Sequence, residues 1–277
     1  MTAAGPRQEG LLQGTRYLSE GQGPTIVLVH GVGMDLAMWD PLARQLASHR
    51  RVVRYDMIGH GRSAKPHRAY RLADFVAQLA RLADDLGLKR FDLAGFSMGG
   101  LVAQGFALAH GDRLDRLVLI NTVFDRSPEE RTAVLGRVEE VRGGAYAASV
   151  EAAIGRWFTP AFRATHPDAV ESVRRHMLGN DIEAYASAYS VFASADQELA
   201  PEIHRIGHPT LAVTGAEDQR STPAMARALA LRLPRGRAAV IDGQRHMTPL
   251  EIPDRLASLI DSFLQKADEP AQKAIAP

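Results

Sequence analysis

Gly95-Phe96-Ser97-Met98-Gly99-Gly100 lies between an apolar run, Phe91-Asp92-Leu93-Ala94, and a helix-spaced one, Leu101, Val102, Gly105, Phe106 and Leu108. A glycine-x-serine-x-glycine turn in that setting suits few folds. The chain leaves a strand, turns sharply and enters a helix, with the serine on the strained turn. Side chains at Gly95 and Gly99 would collide with neighbouring backbone, which accounts for both glycines. A helix starting at Met98 also aims its first N–H groups at negative charge forming beside Ser97. The plainer alternative is a glycine-rich turn with an incidental serine. It leaves the strand before and the helix after unexplained.

The same alternation runs through much of the chain. Thr25-Ile26-Val27-Leu28-Val29 is nearly all apolar, as expected of a strand buried on both faces of a parallel sheet. Further strands are expected at Val52–Tyr55, Phe91–Gly95, Leu117–Ile120, Pro209–Val213 and Ala238–Ile241. Between two of them Leu72, Phe75, Val76, Leu79, Leu82, Ala83 and Leu86 recur at helical spacing. Strand and helix in turn imply an α/β fold with a parallel sheet covered on both faces. The alternation stops near Arg126 and resumes near Pro209. The expected organisation is therefore a core of residues 15–125 and 209–265, with a helical cap inserted at 126–208. That cap would sit over the C-terminal edge of the sheet, where open α/β folds bind ligands.

Composition narrows the function. The 277 residues contain no cysteine, which excludes disulfides, thiolate metal sites and a cysteine nucleophile. A formal net charge of +1 gives no electrostatic case for nucleic acid or an anionic membrane as a partner. The histidines show no metal-ligand spacing, and no phosphate-binding glycine loop is present. No apolar run is long enough to span a membrane, and the first ten residues lack a signal-peptide core, so a cytoplasmic location is expected. Residues 266–277 read as a disordered tail, and nothing in the sequence speaks to oligomeric state.

A serine hydroxyl needs a base, and the base an orienting acid. Asp218 follows the run ending at Val213, and His246 follows the run ending at Ile241, so both fall at strand ends on the edge that carries Ser97. The expected chemistry is a triad: His246 takes the Ser97 proton and Asp218 holds the imidazole. Asp125, beyond the run ending at Ile120, is the rival acid; Glu217 neighbours Asp218, and Asp242 suits a turn. Most other histidines fall in surface helices or loops. Backbone N–H groups of Val32, in His30-Gly31-Val32-Gly33, and of Met98 are the expected oxyanion donors. His30 itself, and the segment Asp56-Met57-Ile58-Gly59-His60-Gly61-Arg62-Ser63, are read as structural.

Taken in order, His-Gly-x-Gly, Asp-x-x-Gly-His-Gly-x-Ser, Gly-x-Ser-Met-Gly-Gly, Gly-x-x-Asp and a late histidine resemble the α/β-hydrolase superfamily. The resemblance runs from about Thr25 to Leu264. It implies a mostly parallel, eight-stranded sheet with helices on both faces, a helical cap, and no cofactor for the chemical step. Gly33–Asp40 and Arg156–Phe162 further resemble 3-oxoadipate enol-lactonases and related bacterial catabolic hydrolases. Those lactonases usually carry Ser-Asn-Ser where this chain has its His30-Gly31 turn. His-Gly is found in esterases, perhydrolases, carbon–carbon bond hydrolases and hydrolases of unsaturated dicarboxylate amides.

The expected substrate is a small ester, lactone or related carbonyl compound. Arg156, Trp157 and Trp39 are its candidate contacts, a guanidinium for a carboxylate beside aromatic walls. For the two tryptophans packing is the plainer role, and for Arg156 solvation. Amide or carbon–carbon cleavage is the alternative chemistry. A non-catalytic ligand-binding protein on the same scaffold is the alternative class.

Overall fold

In the computed structural model, which describes residues 7–265, the apolar runs emerge as strands of one sheet. Its members are β1 (Gln8–Leu12), β2 (Thr15–Glu20), β3 (Thr25–Val29), β4 (Arg51–Tyr55), β5 (Phe91–Phe96), β6 (Leu114–Ile120), β7 (Thr210–Gly215) and β8 (Gly236–Ile241). They lie in the order β1-β2-β4-β3-β5-β6-β7-β8. The run from β4 to β8 is parallel, while β1 and β2 add an antiparallel edge. Every residue of β5 and β7 is buried, so these segments are largely apolar rather than alternating, with Asp92, Thr210 and Thr214 as their buried polar members.

The helices are α1 (Asp40–Leu46), α2 (Leu72–Asp85), α3 (Met98–Ala109), α4 (Pro128–Glu140), α5 (Tyr146–Trp157), α6 (Pro160–Thr165), α7 (Pro167–Leu178), α8 (Ile182–Leu199), α9 (Pro223–Arg232), α10 (Thr248–Glu251) and α11 (Pro253–Gln265). Amphipathic α2 buries Phe75, Val76, Leu79, Leu82 and Ala83. Helix α3 is apolar all round because it is covered on several sides, by the sheet, α2 and α8. Among the described residues no helix is long and apolar enough to cross a membrane.

Two strands were not expected from the sequence. β1 and β2 form a hairpin whose Gln13 and Gly14 both have positive φ, 46° and 79°, the backbone of a tight primed turn. The sheet thus begins at Gln8, before the residue 15 boundary expected for the core. The tail reading for 266–277 lies outside the described residues.

From β6 to β7 the chain is helical throughout its regular structure. Ser127 starts α4 with reciprocal hydrogen bonds, Glu130 N–H to Ser127 Oγ (3.2 Å) and Ser127 N–H to a Glu130 carboxylate oxygen (2.9 Å). This segment is fastened to its own last long helix by charge. Arg126 N–H donates to Asp196 Oδ2 (2.9 Å), and Arg126 Nη1 donates to Asp196 Oδ1 (3.0 Å) and to the Phe192 carbonyl (2.8 Å). Asp196 is 1% exposed. Removing one member of such a pair strands the other charge away from water, a loss of about 3–5 kcal/mol. Asp196→Ala is therefore expected to lower the denaturant midpoint markedly at an unchanged m-value. An unshifted midpoint would show that this pair does not hold α8 to the base of α4.

Strand order determines where a site can form. The chain passes from β3 out to β4, then returns across β3 to β5. This reversal opens a crevice at the carboxyl ends of β3 and β5, the switch point where open α/β sheets bind ligands.

Candidate active site

Ser97 occupies that switch point. It joins β5 to α3 with φ 52° and ψ −116°, outside the regions where a serine rests without strain. The surroundings hold it there. Ser97 N–H donates to the Ile120 carbonyl (2.8 Å), and the Thr122 hydroxyl donates to the Ser97 carbonyl (2.8 Å). A Cβ on Gly95 would lie 2.2 Å from the Gly99 carbonyl oxygen, and one on Gly99 2.2 Å from that of Val29. Only glycines let helix, strand and neighbouring strand come this close.

Asp218 and His246 arrive from the ends of β7 and β8. His246 Nδ1 lies 2.6 Å from Asp218 Oδ2. The carboxylate is saturated with donors. Oδ1 accepts the N–H groups of Arg220 and Ser221, each at 3.0 Å, and Oδ2 also accepts Asn121 Nδ2 at 2.8 Å. Burial alone would raise the Asp218 carboxyl. The charge and hydrogen bond of His246, with the Arg220 and Asn121 donors, outweigh burial and leave it below its ordinary range. With Nδ1 engaged by the carboxylate, Nε2 is the imidazole nitrogen left for the cavity.

Ser97 and His246 both line one cavity of about 830 Å³, the solvent at its mouth included. Phe96 places its ring 4.9 Å from the His246 imidazole. No hydrogen bond joins Ser97 to His246 among the described residues, a spacing that substrate commonly closes in such sites. Asp125, the rival acid, is exposed at φ 47° and does not reach the histidine.

Val32 lines the same cavity, and Met98 begins α3 beside Ser97. The cap anchors the Val32 turn, because Asn180 Nδ2 donates to the Gly33 carbonyl (2.8 Å). Below it His30 Nε2 accepts the Met57 N–H (2.9 Å) while Nδ1–H donates to the Gly31 carbonyl (2.8 Å). Burial holds this imidazole below its usual pKa, so it is a neutral bracket between two turns. Asp56 is likewise a brace: its carboxylate accepts the N–H groups of Leu36 (2.9 Å) and Arg62 (2.7 Å).

Of the candidate substrate contacts, Arg156 and Trp157 line the cavity, and the Trp157 ring lies 5.8 Å from that of His246. Trp157 is fixed there because its carbonyl accepts the N–H groups of both His246 and Met247, each at 3.1 Å. Trp39 is a correction. It is fully buried, makes an edge-to-face contact with Phe96, and does not reach the cavity. Its short 3-10 turn, Leu36–Trp39, faces the core, so proximity in sequence to Val32 does not become proximity to substrate.

Sequence reasoning missed Asn121, which clamps Asp218 while its own Oδ1 accepts the Thr248 hydroxyl (2.7 Å). The available signal was positional: Asn121 follows a strand end, like the other site residues. It also missed Arg126, Arg137, Tyr185, Tyr189 and Arg220, which come to the cavity from α4, α8 and flanking loops.

A serine at a strained strand-to-helix turn, over a parallel sheet whose later strand ends supply an acid and a histidine, defines a hydrolase architecture. The chain belongs to the alpha/beta hydrolase fold family, whose model matches residues 24–253. It is 32% identical over 249 residues, 90% of this chain and 93% of the relative, to (E)-2-((N-methylformamido)methylene)succinate hydrolase of Acinetobacter baylyi. The enol-lactonase of Burkholderia xenovorans superposes with a TM-score of 0.83 at 31% identity, covering 94% of this chain and 100% of that one. A malate-bound thermophilic esterase of Thermogutta terrifontis gives 0.83 at 28% identity, covering 94% and 98%. The protein is a hydrolase of this fold, similar to enol-lactonases.

Proposed function

We propose that the protein is a serine hydrolase that cleaves a small carboxylic ester or enol-lactone through an acyl-enzyme. The observation that carries this reading is Ser97 on its strained turn, facing the same cavity as a His246 paired at 2.6 Å with Asp218. His246 Nε2 accepts the Ser97 proton as Oγ bonds to the substrate carbonyl carbon. The carbonyl electrons move to oxygen, where the Val32 and Met98 N–H groups receive the negative charge. Collapse expels the alkoxide or enolate, which takes the proton back from His246 and leaves an ester on Ser97. Water then repeats the sequence, giving its proton to His246 and releasing the acid and Ser97.

Arg156 and Trp157 serve as substrate contacts, the guanidinium for a carboxylate and the indole as a wall beside the imidazole. Relatives named for a succinate derivative, an enol-lactone and bound malate support small, acidic carbonyl compounds as the class. The first of these also keeps amide cleavage as the second reading, with His246 protonating a poorer leaving group.

A fluorophosphonate probe is expected to label Ser97 alone in the folded protein, read by peptide mass mapping. Turnover on simple esters, enol-lactones, unsaturated amide acids and ring-fission diketones is expected to be fastest on the first two. Faster cleavage of the amide acids or diketones would replace the ester reading with the alternative chemistry. No labelling and no turnover would favour a binding protein.

A further inference from the structure

Four arginines, Arg126, Arg137, Arg156 and Arg220, line the cavity that holds Ser97 and His246. Glu130 is the one acidic residue besides them in the lining, and a carboxylate oxygen of it is engaged by the Ser127 N–H that starts α4. Arg126 is answered from behind the wall by Asp196. The other three guanidiniums have no carboxylate partner among the described residues. Arg137 Nε donates to the Tyr189 hydroxyl (3.2 Å), and Arg156 Nε is buried without a partner among the described residues. Arg220 is exposed, and its side chain makes no ion pair among the described residues.

The four lining guanidiniums face one lining carboxylate, Glu130, and behind the wall Asp196 is shared between Arg126 and Arg131, so positive charge is in excess around the cavity. These charges act on each other: burial, then Arg220 and Arg137, pull the Arg156 guanidinium below its usual range. Like charges held together in a half-enclosed space are unfavourable until an anion enters, and the entering anion gains what the protein has forgone. The three unpaired groups come from α4, from the last turn of α5 and from the loop after β7. Guanidiniums that approach from three elements can each offer a planar fork to a carboxylate, enough for two carboxylates on one small skeleton.

We infer that Arg137, Arg156 and Arg220 form a clamp for a dianionic substrate, two carboxylates on one small carbon skeleton whose scissile carbonyl reaches Ser97. This rests on the serine-hydrolase reading and adds a second charged group to the single carboxylate assigned there. Arg156 adjoins Trp157 and so takes the carboxylate nearer the imidazole. Arg137, steadied by Tyr189 on α8, takes the other. Arg220 at the exposed rim draws the dianion inward.

The test is competition by non-reacting acids, measured as inhibition of p-nitrophenyl acetate turnover and, independently of turnover, by calorimetry on Ser97→Ala. Succinate is expected to bind at least tenfold tighter than butyrate, with succinamide not competing and methyl phosphate weaker than succinate. Arg156→Gln and Arg137→Gln are each expected to weaken succinate by roughly 10- to 100-fold, the effect of losing a charge-assisted hydrogen bond. Arg156→Lys should recover part of that loss by restoring charge without the bidentate fork. Equal affinity for succinate, butyrate and succinamide, or arginine variants that bind succinate as the parent does, would overturn the clamp. Methyl phosphate binding as tightly as succinate would overturn it in favour of a phosphate monoester. Failure of the hydrolase reading looks different: no ester turnover and no Ser97 labelling, while calorimetry still reports on the clamp.

Discussion

Ser97→Ala is expected to lower kcat on the best ester by roughly 10⁴ to 10⁶ while changing KM little. The size follows from what the hydroxyl does. Without it no acyl-enzyme forms, and what remains is water attack helped by the oxyanion donors and by binding, which in triad enzymes preserves a residual rate about 10³ to 10⁴ above water. The fold should be untouched. The turn is held by backbone contacts, Ser97 N–H to Ile120 and the Thr122 hydroxyl to the Ser97 carbonyl, and by the close approaches at Gly95 and Gly99. None of these involves the Ser97 hydroxyl. Steady-state kinetics with a melting curve would separate lost chemistry from lost fold. Turnover within tenfold of the parent, at an equal melting temperature, would remove Ser97 from the mechanism.

Ser97, Asp218 and His246 were legible in the sequence for a shared reason. Each follows a largely apolar run, and in a parallel sheet such runs all end on one edge. Residue type then did the rest, since serine, aspartate and histidine at that edge suggest one another. The same cue stood behind Asn121, but an asparagine after a strand reads as turn chemistry. Its part becomes visible only when Asp218 is brought to 2.8 Å from 97 residues away. The edge strands were lost for a different reason. β1 is five residues with mixed exposure, and its Gln13-Gly14 turn lacks the Asn-Gly or Asp-Gly signature of two-residue hairpins. Arg137 and Arg220 were out of reach of any spacing argument. They stand 83 residues apart and meet one cavity only because α4 and the loop after β7 close over the same strand ends. Trp39 failed in the opposite way: its position beside the Val32 turn suggested a wall, and the core claimed it.

Asp218→Asn is expected to lower kcat by on the order of 10⁴, again with binding of substrate largely kept. Every contact to this carboxylate comes from a donor: two backbone N–H groups on Oδ1, and Asn121 Nδ2 with His246 Nδ1–H on Oδ2. An amide has a single acceptor oxygen to offer. The Arg220 and Ser221 N–H groups belong to the backbone and cannot turn away, so the amide oxygen is held at the Oδ1 position. The NH₂ then faces His246. It donates to Nδ1, which must give up its proton, and the imidazole becomes the Nε2–H tautomer. That places a donor toward Ser97 where a base is required. The loss is thus one of tautomer and charge stabilisation, with the side-chain shape preserved. Asp125→Asn, at an exposed position without contact to His246, is expected to retain kcat within twofold (roughly 0.4 kcal/mol). A full loss in the Asp125 variant and none in the Asp218 variant would move the acid to the end of β6, and with it the direction from which His246 is oriented.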